Sequence, residues 1–166
     1  MNTSPPSDKL CKHHDMTAPV SPQEVLTTAF EPSQLQSEAE AFTISAEMGV
    51  DFYSDVSVLY NLTSDFCGKK TEEVATMDIL IHRLDAHVRD EDALRDIEKV
   101  RNMYHGMLHV YVYLYRVHWH HFVQLDMSGH LTLCWKRLMA FAAEYRVLDA
   151  SVLHKVYDFI MSIIEH

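Results

Sequence analysis

The sequence is short of chain breakers. Its 166 residues hold four Gly and five Pro, and Pro5, Pro6, Pro19 and Pro22 all fall within the first 22. Little beyond that point interrupts a regular backbone, which favours helices over the closely spaced turns of an all-β chain. Cysteine is scarce as well. Cys11, Cys67 and Cys134 are odd in number and widely separated, which fits neither a disulfide scaffold nor a zinc module and points to a reducing, cytoplasmic setting. Cations are outnumbered, with 14 Lys and Arg against 24 Asp and Glu and a formal charge of −10. Nucleic acid and an anionic membrane surface both need clustered Lys and Arg, so neither is expected as a partner. The most apolar stretch, 103–125, is interrupted by Arg116 and by five histidines, and Phe159–Ile164 is too short to cross a bilayer, so no membrane anchor is expected. Asn61-Leu62-Thr63 matches a glycosylation sequon, but no signal peptide accompanies it and it is read as chance. There is no Gly-rich phosphate loop, Gly-x-Ser-x-Gly elbow, His-Glu-x-x-His or Cys-x-x-Cys motif. No enzyme activity, cofactor or metal is therefore expected.

What is present is a helical pattern. At 48% hydrophobic and 23% charged the composition is that of a globular chain with a core. Residues 1–22 read as a disordered tail and 23–166 as a single helical domain. A short apolar turn is expected at Val25–Phe30. Ser33 with Gln36 then suggests a capping box for a helix carrying Leu35, Ala39, Phe42 and Ala46 up to Gly49. A second helix carries Phe52, Val56, Leu59, Thr63 and Phe66 and stops at Cys67-Gly68-Lys69-Lys70. Val74, Met77, Ile81, Leu84 and Val88 mark a third, behind Glu72 and Glu73, and Asp90-Glu91-Asp92 caps a fourth with Ala93, Ile97, Val100 and Tyr104. Val110–Tyr115 alternates β-branched and aromatic residues, but no pairing strand is visible, so Met107–Phe122 reads as a buried helix. After an Asp126–Gly129 loop, Leu131, Trp135, Leu138, Ala142 and Tyr145 form a further face, and Asp149 opens a last helix with Val152, Val156, Phe159 and Ile163. The expectation is an all-α bundle of six to seven helices.

Twelve histidines stand out. His105 and His109 lie one helical turn apart, with His118, His120 and His121 close behind, yet the carboxylates of a Glu-x-x-His metal bundle are missing. The expectation is that these imidazoles hydrogen-bond at the ends of a buried aromatic helix. Protonating all of them would more than cancel the formal charge, so solubility and association should depend on pH near ~6.5. Asp85, Asp90, Asp92 and Asp96 read as a solvated face.

The run Cys134-Trp135-Lys136-Arg137-Leu138-Met139-Ala140-Phe141, behind the Asp126–Gly129 turn, resembles the first homology region of the Bcl-2 family. That family has Asn-Trp-Gly-Arg, two apolar residues, a small residue and an aromatic at this place. The resemblance implies a Bcl-2-like helical bundle around a central hydrophobic helix that this run opens. It also implies an apoptosis inhibitor that sequesters the amphipathic death-motif helix of a pro-apoptotic protein in a surface groove, of a viral type without a tail anchor. Arg137 would pair with the ligand's Asp, and Lys136, Trp135, Leu138, Val100, Tyr104 and Leu108 would line the groove. Cys134 in place of the capping Asn and Lys136 in place of Gly depart from the pattern. The residues alone also allow a helical adaptor or self-assembling interaction protein unrelated to apoptosis, and a homodimer.

Overall fold

The computed structural model describes residues 37–66 and 71–165. The expected tail, the 25–30 turn, the Ser33/Gln36 box and the Cys67–Lys70 stop lie outside these residues. Among the described residues there are six α-helices and one 3-10 turn, and no strand. The helices are α1 (Glu38–Leu62, followed by the turn Thr63–Asp65), α2 (Glu72–Arg89), α3 (Glu91–Leu94), α4 (Ile97–Gln124), α5 (Ser128–Glu144) and α6 (Ala150–Ile164).

Each boundary has a local chemical cause. The Ser37 hydroxyl accepts from Glu40 N at 3.1 Å while Ser37 N donates to Glu40 Oε1 at 2.7 Å, a reciprocal capping box at the start of α1. Thr71 accepts from Val74 N. Asp90 accepts from the amides of Asp92 and Ala93, and Asp96 from those of Glu98 and Lys99. The Asp90 cap therefore serves only the single turn α3, and Asp96 opens the long helix. Two residues with left-handed backbone, Asp126 at φ 58° and Arg146 at φ 54°, end α4 and α5. Met127 N donates to Phe122 O at 2.8 Å and Val147 N to Ala142 O at 2.9 Å, which closes both ends as Schellman turns. The α4–α5 turn is thus Leu125–Met127, and Gly129 lies inside α5 rather than in the loop the sequence suggests.

Two expected breaks are absent. Gly49 does not end a helix and Met107 does not begin one; each region is continuous helix. Both glycines are crossing points. A Cβ on Gly49 would stand 2.3 Å from Met103 Cε and 3.2 Å from Tyr104 Cε1, and one on Gly106 would stand 2.9 Å from Leu84 Cδ2. The missing side chains let α1 and α2 approach α4 closely. Tyr104 uses the space at Gly49, donating its buried hydroxyl to Ser45 O at 2.7 Å. Gly49→Val is expected to cost about 1–3 kcal/mol through overpacking, measured as a lowered midpoint in thermal or urea unfolding.

The central helix is α4, which packs against α1, α2, α3, α5 and α6. It buries Val100, Met103, Tyr104, Met107, Leu108, Val110, Tyr111, Tyr113, Leu114, Tyr115, His118 and Phe122. This places the centre one helix earlier than the Bcl-2-like arrangement, in which the run at Trp135 opens the central helix. Phe52, Tyr104 and Phe141 join α1, α4 and α5 through ring contacts of 5.4 to 6.3 Å. In α6 the fully buried residues are Leu153, Tyr157 and Ile160; of the expected face, Val152, Val156 and Ile163 pack against the core partly buried, and Phe159 is exposed. That helix carries two adjacent apolar stripes, and the one with Leu153, Tyr157 and Ile160 takes the deeper place.

Candidate interaction surface

The residues expected to line a groove are mostly interior. Trp135, Tyr104 and Leu138 are fully buried, and Val100 and Leu108 nearly so. They form walls of the packed core on α4 and α5. Lys136 and Arg137 are half-buried at the surface of α5. Arg137 Nη1 lies 3.6 Å from Asp55 Oδ2 on α1, so its cation meets a carboxylate of its own chain. The pair sits over the buried Tyr111 and Cys134. Burial raises the Tyr111 hydroxyl well above its ordinary range, Cys134 and Asp55 adding to the effect. Burial and then Asp55 push the Cys134 thiol up to about 11, with Arg137 opposing. A protonated thiol 3.7 Å from His130 Nε2 is a packing group, not a nucleophile.

The α1 side of this pair shows a feature that sequence reading passed over. Helix α1 carries Glu38, Glu40, Glu47, Asp51 and Asp55 and no Lys or Arg. Its period places Glu47, Asp51, Ser54, Val58 and Asn61, continued by Asp65, on one exposed stripe. The apolar member, Val58, is 58% exposed. On α2, α3 and α4 several acidic residues have cations at hand: Asp85 with Arg89, Glu91 and Asp92 with Arg95, Glu98 with Arg101, and Glu73 of α2 with Arg116 of α4. The Arg89 guanidinium beside Asp85 holds that carboxyl below its usual range. Glu47, Asp51 and Asp65 have no ion pair among the described residues. A ridge of one sign, with an apolar residue in its middle, suits a cationic segment that brings an apolar anchor. The signal was readable as 25 residues without a cation.

The histidines of α4 divide into two groups. His118 is 3% exposed. Its Nε2 lies 3.1 Å from the Tyr113 hydroxyl and its Nδ1 lies 3.2 Å from His121 Nδ1, while Phe66 stacks on His121 with centroids 4.7 Å apart. With Tyr113 donating to Nε2, the His118 Nδ1–H donates to His121 Nδ1, so both nitrogens of the buried His118 are used by its neutral form. Burial, then His121 and His120, depresses the His118 imidazole to about 4. His105 and His109, by contrast, are exposed on α4, against the expectation of hydrogen-bonded helix-end groups. Among the described residues no group of three or more His, Cys, Asp or Glu could hold a metal ion, and no helix is long and apolar enough to cross a membrane.

The Mob1/phocein family model matches residues 89–156. That span runs from the end of α2 through α3, α4 and α5 into α6, and it includes the whole run from Cys134 to Phe141. A MOB kinase activator-like 1B of Medicago sativa subsp. falcata is 22% identical over 154 residues, covering 70% of this chain and 71% of the relative. A MOB kinase activator-like 1A of Arabidopsis thaliana is 23% identical over 153 residues, covering 69% and 70%. No solved structure matches the chain. These findings overturn the Bcl-2 resemblance and what it implied. The death-motif partner, the anti-apoptotic role and the viral type fall together, because the motif carrying them lies within a longer match to a different family. A tryptophan followed by Lys-Arg and an apolar helix face is a pattern that any core-forming helix can reproduce. The alternative reading, a helical adaptor, fits the relatives' names.

Proposed function

We propose that this chain is a helical adaptor that binds a protein kinase and raises its activity, acting inside the cell and supplying no catalytic group of its own. The similarity to proteins named as kinase activators carries the reading, since it spans about 70% of both chains. The contact surface is the exposed stripe of α1. Glu47 and Asp51 steer a basic segment of the kinase, Val58 receives an apolar side chain of that segment, and the Asp55–Arg137 pair fixes α1 against α5 beneath it. Steering by exposed carboxylates is screened by salt, so the association weakens as ionic strength rises.

The test is direct binding of the purified chain to a panel of purified protein kinases carrying their flanking regulatory segments. At least one kinase is expected to bind. Glu47→Lys with Asp51→Lys should weaken that binding by about tenfold or more and flatten its salt dependence. A panel without a binder rejects the adaptor reading. Equal binding by the double variant removes α1 as the surface.

A further inference from the structure

We propose that His105 and His109 form a surface chelate for one divalent transition-metal ion of the borderline class, with Cu(II) held more tightly than Ni(II) or Zn(II). The two imidazoles lie one turn apart in the middle of α4, a continuous helix of 28 residues. Positions i and i+4 bring the Cβ atoms to about 5–6 Å on one face. That is the spacing at which two helical histidines close on one ion. Both side chains are exposed, and neither has a hydrogen bond or ion pair among the described residues. No internal partner competes for their nitrogens.

The surroundings do not oppose an ion. The cations on the same exposed side are Arg101 and Arg116, and each is paired: Arg101 Nη1 is 3.5 Å from Glu98 Oε2, and Arg116 bonds Glu73. Imidazole suits Cu, Ni and Zn, and the order of divalent affinities puts Cu(II) first. The rigidity of α4, whose other faces are packed on five helices, fixes the spacing before the ion arrives. Two protein ligands leave the remaining coordination positions to water, so the bound ion exchanges and stays open to a further ligand. The pair is distinct from His118 and His121, whose facing nitrogens are already used by each other and by Tyr113.

The test is titration of the full chain, purified without an affinity tag, with Cu(II) alone, followed by calorimetry and electron paramagnetic resonance. The wild type is expected to bind one ion in this site with hyperfine splitting from two nitrogens. His105→Ala and His109→Ala should each weaken that binding by about tenfold or more. Both positions are exposed, so the metal-free variants should melt like the wild type. Cu(II) should raise the melting temperature of the wild type and not of either variant, because only the native helix holds the two ligands at the right spacing. Unchanged binding in His105→Ala, or loss of the ion on changing His13 and His14, the adjacent histidines of the N-terminal sequence, overturns the proposal.

Discussion

Trp135→Ala is expected to lower the free energy of unfolding by about 3–5 kcal/mol, the range for deleting a fully buried large aromatic side chain. Trp135 is 0% exposed and stands where three helices meet. From α5 its ring approaches Tyr115 of α4 at 5.7 Å, edge to face, and Tyr157 of α6 at 5.8 Å. No neighbouring side chain is long enough to refill a cavity of that size without leaving its own contacts. The indole Nε1 is buried with no hydrogen-bond partner among the described residues. Removing the ring therefore forfeits packing and no polar bond. Trp135→Phe should cost less than half as much, since it keeps most of the aromatic contact and removes a buried N–H without an acceptor. Urea unfolding of the three proteins with a common slope measures this. A cost for Trp135→Ala below about 1 kcal/mol would show that the ring is not part of the packed core.

The second large effect is on pH dependence. His118 is depressed to about 4 by burial and by its neighbours His121 and His120, whereas an unfolded chain titrates near an ordinary value of about 6.5. Below that ordinary value the unfolded state takes up a proton that the folded state refuses, so stability falls with pH until the folded value is reached. The difference corresponds to about 3 kcal/mol between neutrality and pH ~4, present above the window and lost through it. His118→Phe keeps the ring volume but removes the titrating group. It should be less stable than the wild type at neutral pH, having lost the bonds to Tyr113 and His121. It should also show a shallower fall on acidification. Unfolding free energies at about pH 7 and about pH 4.5 decide the matter: parallel curves for the two proteins would show that His118 does not set the slope.

Much of the architecture was legible because periodicity reports burial directly. The apolar positions of α2, of α5 and of the second half of α1 lie where their spacing puts them, whereas Ala39 at the start of α1 is exposed, and the all-helical class follows from the shortage of breakers. The breaks were misread where glycine served a tertiary purpose. Gly49 looks like a stop in one dimension and Met107 like a start, and only the approach of Met103 and Tyr104 to Gly49 and of Leu84 to Gly106 shows that the two glycines are crossings. On α6 two apolar stripes sit side by side and periodicity cannot rank them, so the deeper one, with Leu153, Tyr157 and Ile160, is missed while Val152, Val156 and Ile163 pack at its edge. The candidate surface was overlooked for the opposite reason. A solvated acidic stripe produces no apolar period, and its meaning comes from the absence of cations along Glu38–Leu62. The motif at Trp135 misled because burial in a core and burial beneath a groove select the same residue types.

The central claim, that this chain raises a kinase's activity by binding it, is tested most directly by phosphoryl transfer from a purified binding kinase to a peptide substrate, with and without the chain. Activity is expected to rise with added chain and saturate at one equivalent, with Glu47→Lys plus Asp51→Lys shifting the curve to higher concentration. Activity unchanged at saturating chain, with binding confirmed in the same sample, would contradict the account.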